Sequence, residues 1–155
     1  MDQPRAIPAL LARVQGTLCA FPLVDVIETM RPLPIEPLAN TPDFVLGVAR
    51  IRGVAVPVVR LSTLFQEKHF GDHSNRFVTI RVGQRCVAVA MESVLGIADL
   101  SDQTFGNLPP LLQTGKAEFI QALSTLDNEF LVVLDAARIV PDSVWRELAQ
   151  TKALQ

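Results

Sequence analysis

The sequence predicts a mostly β protein built from two similar small units over one shared hydrophobic core. Three observations lead to this fold class: four segments have the pattern of β-hairpins, little of the chain has a helical pattern, and the order of elements repeats. Short strands at roughly regular spacing are typical of small barrels and sandwiches. Because units of this size bury little surface alone, we expect them to pack together, with a groove at their seam.

The chain begins with a hairpin and then crosses the surface. Residues 10–21 (LLARVQGTLCAF) predict two strands about a Gln-Gly turn, ended by Pro22, which has no N–H to donate. Residues 23–30 predict a helical turn followed by a strand. Residues 31–42 hold four prolines, which exclude a helix or a central strand and favour an extended crossing.

The hairpin at residues 44–65 (FVLGVARIRGVAVPVVRLSTLF) is the most prominent pattern in the first half. Its Val-rich strands fold about Arg52-Gly53, because glycine tolerates the positive φ of tight hairpins. A short helical turn at residues 62–65 is expected to close it.

The second half repeats this order. Residues 77–91 alternate about a Gly-Gln turn, residues 98–116 have loop composition, and residues 119–134 predict a hairpin with an Asp-Asn turn. The repeat spans approximately residues 10–65 and 77–140. A C-terminal helix follows at residues 142–153, with Asp142 as its N-cap.

Composition excludes several kinds of partner. The net charge is -2 and no Lys/Arg cluster occurs, so we expect no binding to nucleic acid or to anionic membranes. No run of about 18 apolar residues is present. The N-terminus, with Asp2 and two prolines, does not resemble a signal peptide. The sequence therefore predicts a soluble, cytoplasmic protein.

No residue pattern predicts catalysis or a cofactor. Cys19 and Cys86 lie in apolar strands and are interpreted as buried hydrophobes rather than a disulfide. His69 and His73 have a spacing that suits a metal on a helix, but their loop contains a glycine, so solvated loop residues are the better interpretation. No nucleophile elbow or phosphate-binding loop occurs. We expect no enzyme and no metal.

Two charged residues stand inside apolar stretches: Glu28 in VDVIETM, and Arg52 in the hairpin turn. One interpretation is that each side chain points separately to solvent. The other is an ion pair, because the planar guanidinium of arginine matches a carboxylate. The pattern alone leaves both open.

The combined pattern resembles the CheW family of bacterial chemotaxis coupling proteins. The run VIETMRPLPIEPLANTPDFVLGVARIRGVAVPVVRLSTLF carries the shared features: Glu28, the Pro-rich crossing, Gly47, the Arg52-Gly53 turn and Val-Pro-Val-Val. RFVTIRVGQRCVAVAMESVLGI resembles the central hairpin of the family, and LDNEFLVVLDAARIV the last one. The resemblance extends over residues 10–140.

This resemblance implies a single domain of two five-stranded, SH3-like β-barrels over a common core. It also implies an adaptor without catalytic activity, which couples the cytoplasmic tips of chemoreceptors to a CheA-type histidine kinase at membrane-associated receptor arrays. Two alternatives remain: a β-barrel protein that binds a small ligand in the groove, and an enzyme with a site assembled from distant residues.

The resemblance also assigns candidate site residues. Glu28 and Arg52 would form an ion pair associated with coupling, and the region of Gly47 would face the kinase. The groove that receives the receptor helix would be lined by three apolar residues: Val26, Ile27 and Val94.

Three features depart from the family pattern. Arg60 stands where the family usually has Asp, Arg50-Ile51 replaces Asn-Leu, and Ala122 replaces a common Gly. Arg50 and Arg60 are therefore candidates for a partner-specific surface. These departures favour, as an alternative pathway, a related chemosensory system such as one controlling pili and twitching motility.

Overall fold

The computed structural model describes residues 5–14, 16–61, 75–101, 120–126, 129–135 and 138–153. The expected helical turn at residues 62–65, the loop with His69 and His73, and the Asp-Asn turn lie outside these residues. The described elements are β1 (Ala6–Val14), β2 (Thr17–Pro22), a 3-10 turn (Leu23–Asp25), β3 (Val26–Met30), β4 (Val45–Ile51), β5 (Val54–Arg60), β6 (Arg76–Val82), β7 (Arg85–Met91), β8 (Ser93–Ser101), β9 (Ile120–Leu126), β10 (Glu129–Leu134) and α1 (Asp142–Ala153).

The strands form two five-stranded sheets that exchange strands between the two repeats. The first sheet has the order β8-β1-β2-β10-β9, and the second has β3-β6-β7-β5-β4. Each sheet therefore combines the opening hairpin of one repeat with three strands of the other. The expectation of two units, each made from one repeat, is corrected in this respect. In the exchange β8 pairs with β1, and β3 pairs with β6. The backbone N–H and C=O groups at the outer edge of each opening hairpin are therefore hydrogen-bonded.

The predicted shared core lies between the two sheets. It takes buried side chains from both of them, including Phe21 of the first sheet and Ile80 of the second, and α1 adds Val144. Each sheet also has a smaller cluster on its other face, around Leu131 in the first sheet and Phe77 in the second. Burial of each of these large side chains contributes about 1.5–3 kcal/mol. The fold class, two small barrels over a common core, is as predicted.

Strand β8 differs from the sequence prediction. Residues 98–116 were expected to form a loop, yet β8 continues to Ser101. It pairs antiparallel with β1 from Ala6–Ser101 to Arg13–Ser93, with a bulge at Leu11/Ala12. Pairing with a distant strand overrides the local composition here.

The C-terminal helix follows its amphipathic pattern. Val144 and Leu148 are buried, as their shared face predicts, and Asp142 lies in the first turn, where a negative charge is favourable. Within the described ranges, no helix is both long enough and apolar enough to cross a membrane.

Gly47 lets the proline-rich crossing approach β4. Glu36 exchanges two backbone hydrogen bonds of 2.8 Å with Val48. A Cβ added to Gly47 would lie 2.1 Å from the carbonyl oxygen of Glu36, and its φ is +141°. Only glycine meets both conditions without a shift of the backbone. Gly47 therefore holds the crossing segment against the second sheet.

We expect Gly47→Ala to destabilise the protein more than Gly83→Ala. Gly83 has φ +63° and open space around an added Cβ, so alanine there should cost about 1 kcal/mol in backbone strain. At Gly47 the overlap with Glu36 adds to the strain, and the total loss should exceed about 3 kcal/mol. Urea unfolding measures both values. Equal losses would show that the crossing does not rest against Gly47.

Candidate functional site

Glu28 and Arg52 form a bidentate ion pair. Arg52 donates from Nε to Glu28 Oε1 at 2.9 Å and from Nη2 to Glu28 Oε2 at 2.8 Å. This parallel pair of hydrogen bonds is the geometry that makes arginine specific for a carboxylate. The predicted contact is confirmed, and the interpretation that each charge points separately to solvent is wrong.

The backbone conformations at Arg52 and near Glu28 orient the two side chains towards each other. The loop between β4 and β5 has two residues, Arg52 with φ +51° and Gly53 with φ +78°, as a type I′ turn requires. An arginine in the left-handed region is unusual and costs about 1 kcal/mol or more. On the other side, the β3–β6 register shifts between Val26 and Glu28, and such bulges re-aim side chains.

The electrostatics of the pair are those of an exposed contact. The hydrogen bond from Arg52 lowers the pKa of Glu28, and partial burial opposes this shift to a smaller extent. The pKa of Arg52 is raised by the same hydrogen bond. The Arg52 side chain is 78% exposed and that of Glu28 28%, so solvent screens the attraction. The pair therefore has a well-defined geometry but contributes little to the stability of the fold.

A cavity of about 560 Å³ opens beside the ion pair. It lies at one end of the barrel that the second sheet forms, between the β4–β5 turn, the β6–β7 turn and α1. Trp145, Leu148 and Ala149 of α1 line it, together with Ile27 and Val54. We call it the barrel-mouth cavity.

The expected groove residues do not form one set. Val26 and Val94 both pack against the shared core, each from an edge strand of its sheet. Ile27 instead lines the barrel-mouth cavity and is 44% exposed. The structure thus brings Val26 and Val94 to the same core and places Ile27 with Glu28.

Among the described residues, four exposed apolar side chains were not predicted as site residues: Val24 (82% exposed), Val54 (48%), Leu95 (52%) and Ile97 (63%). Leu95 and Ile97 alternate on β8, with Asp99 as the next exposed residue. The alternation of Leu95 and Ile97 is typical of a strand with one exposed face, but no strand was predicted for these residues.

A second ion pair was also missed. Both guanidinium Nη atoms of Arg13 donate to the Glu129 carboxylate, one of them at 2.9 Å, and Arg13 also donates to the carbonyl of Gly16 at 3.1 Å. This contact joins the end of β1 to the start of β10. Because the partners lie far apart in sequence, no local pattern indicates it.

The remaining candidate residues lie on the β4–β5 hairpin. Arg50 is exposed on β4, near the turn, and pairs across the ladder with Ala55. Arg60 is half-buried at the far end of β5, where its backbone N–H donates to the backbone carbonyl of Phe44 at 2.7 Å. The two arginines lie at opposite ends of the hairpin and do not form one patch.

The site offers little for metal or thiol chemistry. Among the residues that the structure describes, no three His, Cys, Asp or Glu side chains lie together as metal ligands would. Cys19 is buried and Cys86 half-buried, and both are free thiols. Burial raises the pKa of the Cys86 thiol, which disfavours the reactive thiolate.

We expect the Glu28 carboxyl to titrate below an ordinary glutamate, and Arg52→Gln to return its pKa towards 4.5. Because the folded pKa is the lower one, the pair stabilises the fold above the unfolded pKa, and this contribution disappears as pH falls through the folded pKa. NMR titration of the Glu28 carboxyl measures the shift. Arg50→Gln, an exposed arginine of the same hairpin, is the control. An unchanged titration in Arg52→Gln would contradict the pairing.

Comparison with known proteins places this fold in a family. The profile of the CheW-like domain matches residues 8–144. The chain is 28% identical over 104 residues to the chemotaxis protein CheW of Klebsiella aerogenes; the match covers 66% of this chain and 63% of that protein, less than two thirds of its length. Protein FrzA of Myxococcus xanthus is 31% identical over 87 residues, which cover 55% of this chain and 54% of that protein.

A solved structure shows the same architecture. The scaffolding protein TtCheW of Thermoanaerobacter tengcongensis superimposes with a TM-score of 0.72 at 18% identity, over 84% of this chain and 89% of that one. This likeness shows the fold, which consists of two SH3-like barrels. Because the family profile spans most of the chain, the protein belongs to the CheW-like domain family.

Proposed function

We propose that the protein is a non-catalytic adaptor that couples the cytoplasmic tips of chemoreceptors to a CheA-type histidine kinase at receptor arrays. Family membership over residues 8–144 supports this role, and the named relatives are a chemotaxis protein and a scaffolding protein. The observation that carries the proposal is the Glu28–Arg52 pair. It is bidentate, exposed and built on a strained turn, which is typical of a contact kept for function.

The surface we assign to the receptor is apolar. We assign to it Val26 and Val94, which both pack against the shared core, and the exposed side chains of Leu95 and Ile97, which follow Val94 on β8. Exposed apolar residues on a folded domain mark interaction sites, and an amphipathic helix buries its apolar face in such a surface. The receptor tip is a helical partner of this kind.

The surface we assign to the kinase is the outer side of the β4–β5 hairpin. Gly47 lets the proline-rich crossing segment pack closely against β4. Arg50, three residues further along β4, carries an exposed positive charge. Charges at the rim of an interface set partner choice and association rate more than affinity. Arg50 therefore selects the particular kinase, in chemotaxis or in a related pathway such as pilus control.

Charge reversal at the ion pair should break coupling without unfolding the protein. Glu28→Arg and Arg52→Glu should each weaken assembly with receptor tip and kinase about tenfold or more, because each leaves a like charge beside the remaining partner. Their melting temperatures should stay close to that of the natural chain, since the pair is exposed. Pull-down with both partners measures assembly.

Arg76→Gln is the matched control for these variants. Arg76 is an exposed arginine at the start of β6, away from the turns that carry the ion pair. It should leave assembly unchanged. Full assembly by the folded charge-reversal variants would contradict the proposed role of the pair.

The two assigned surfaces should be separable by mutation. Ile97→Asp should reduce binding of a receptor-tip fragment about tenfold by charging an exposed apolar site, while binding of the kinase regulatory domain stays the same. Arg50→Glu should do the opposite. Titration calorimetry with each partner alone measures both. Loss of both partners in either folded variant would contradict the assignment of two surfaces.

A further inference from the structure

The barrel-mouth cavity has the size of a small-molecule site. Its volume of about 560 Å³ falls within the roughly 300–1,000 Å³ range of ligand pockets, and barrel mouths are a common place for them. A helix with its side chains is about 10–12 Å across, so a cavity of this volume suits a small molecule better than a partner helix. The adaptor role proposed above uses the Glu28–Arg52 pair at the edge of this cavity but assigns nothing to its interior.

The wall of the cavity is mostly apolar. Ile27 and Val54 are large hydrophobic residues that remain about half exposed, and both line it. Trp145 and Leu148 of α1 close the opposite side. A ligand with an apolar body would remove these side chains from water, which favours binding.

The charges around the cavity favour an anion. The charged residues that line it are Glu28, Arg52, Arg81 and Arg85. Glu28 already accepts both hydrogen bonds from Arg52. Arg81 and Arg85 remain, and the Asp25 carboxylate, which does not line the cavity, interacts electrostatically with Arg81, so the balance of charge stays positive. The Arg85 guanidinium lies over the Trp145 ring, 5.0 Å from its centroid, and this cation–π contact favours a position beside the cavity wall.

We propose that the barrel-mouth cavity binds a small organic carboxylate with an apolar tail. The tail lies against Ile27, Val54 and Trp145, and the carboxylate lies between Arg81 and Arg85. Guanidinium groups suit this head group because their planar N–H donors match the two carboxylate oxygens. This inference does not rest on the adaptor function, since it concerns binding to the isolated protein.

The protein carries its own reporter for this site. Trp145 is its single tryptophan and no tyrosine is present, so tryptophan fluorescence reports on the cavity wall. Octanoate should give a saturable change in this fluorescence. Octanol, with the same tail and no charge, should bind at least about tenfold more weakly than octanoate. Octylammonium should not bind, because the surplus charge of the cavity is positive.

Two variants test the head-group contacts. Arg81→Gln and Arg85→Gln should each weaken octanoate binding about tenfold and leave octanol binding unchanged. Arg76→Gln, in the same hairpin but at its opposite end, should bind octanoate as the natural chain does. Because Arg85→Gln also changes the surroundings of Trp145, calorimetry measures all affinities independently, and circular dichroism confirms folding.

A third variant tests the location of the tail. Ala149→Leu adds bulk from α1 into the cavity and should abolish binding of both octanoate and octanol. The proposal is overturned if octanoate gives no saturable signal, if octanol binds as well as octanoate, or if the Arg81 and Arg85 variants behave like Arg76→Gln. Such failure would leave the receptor and kinase assays unaffected, so the two proposals are judged separately.

Discussion

The exchange of strands between the two repeats is the constraint on which the rest of the structure depends. The pairing of β8 with β1 and of β3 with β6 covers the outer edges of the opening hairpins, so neither repeat completes a sheet alone. Both sheets then bury one face in the shared core. The candidate site is composite for the same reason: Glu28 comes from the first repeat, while Thr79, which donates to the Glu28 carbonyl oxygen at 3.3 Å, comes from the second.

The geometry of the Glu28–Arg52 pair depends on the two sheets, whereas the stability of the sheets depends little on the pair. Arg52 occupies a left-handed position that arginine rarely adopts, and the surrounding hairpin must supply the energy that holds it there. The return in stability is small, because solvent screens the pair. A contact of this kind presents two charges in one fixed orientation on the surface, which suits recognition of a partner.

Features set by neighbouring residues could be predicted from the sequence, and features set by distant pairing could not. The Arg52-Gly53 turn and the buried face of α1 follow from local chemistry. The pairing of Glu28 with Arg52 came from the family resemblance, since the charge pattern alone left it open. The strand at residues 98–101 and the Arg13–Glu129 pair were missed, because each depends on a partner far along the chain. The cavity needs α1 to fold back beside the β6–β7 turn, which no local pattern contains.

If the protein is the adaptor we propose, one molecule binds a receptor tip and a kinase at the same time through two separate surfaces. Analytical ultracentrifugation of the full chain with a receptor-tip fragment and a kinase regulatory domain would resolve the species formed. We expect a single complex that contains all three proteins, and a binary complex in each mixture from which one partner is left out. Competition, in which each partner displaces the other from this protein, would contradict it.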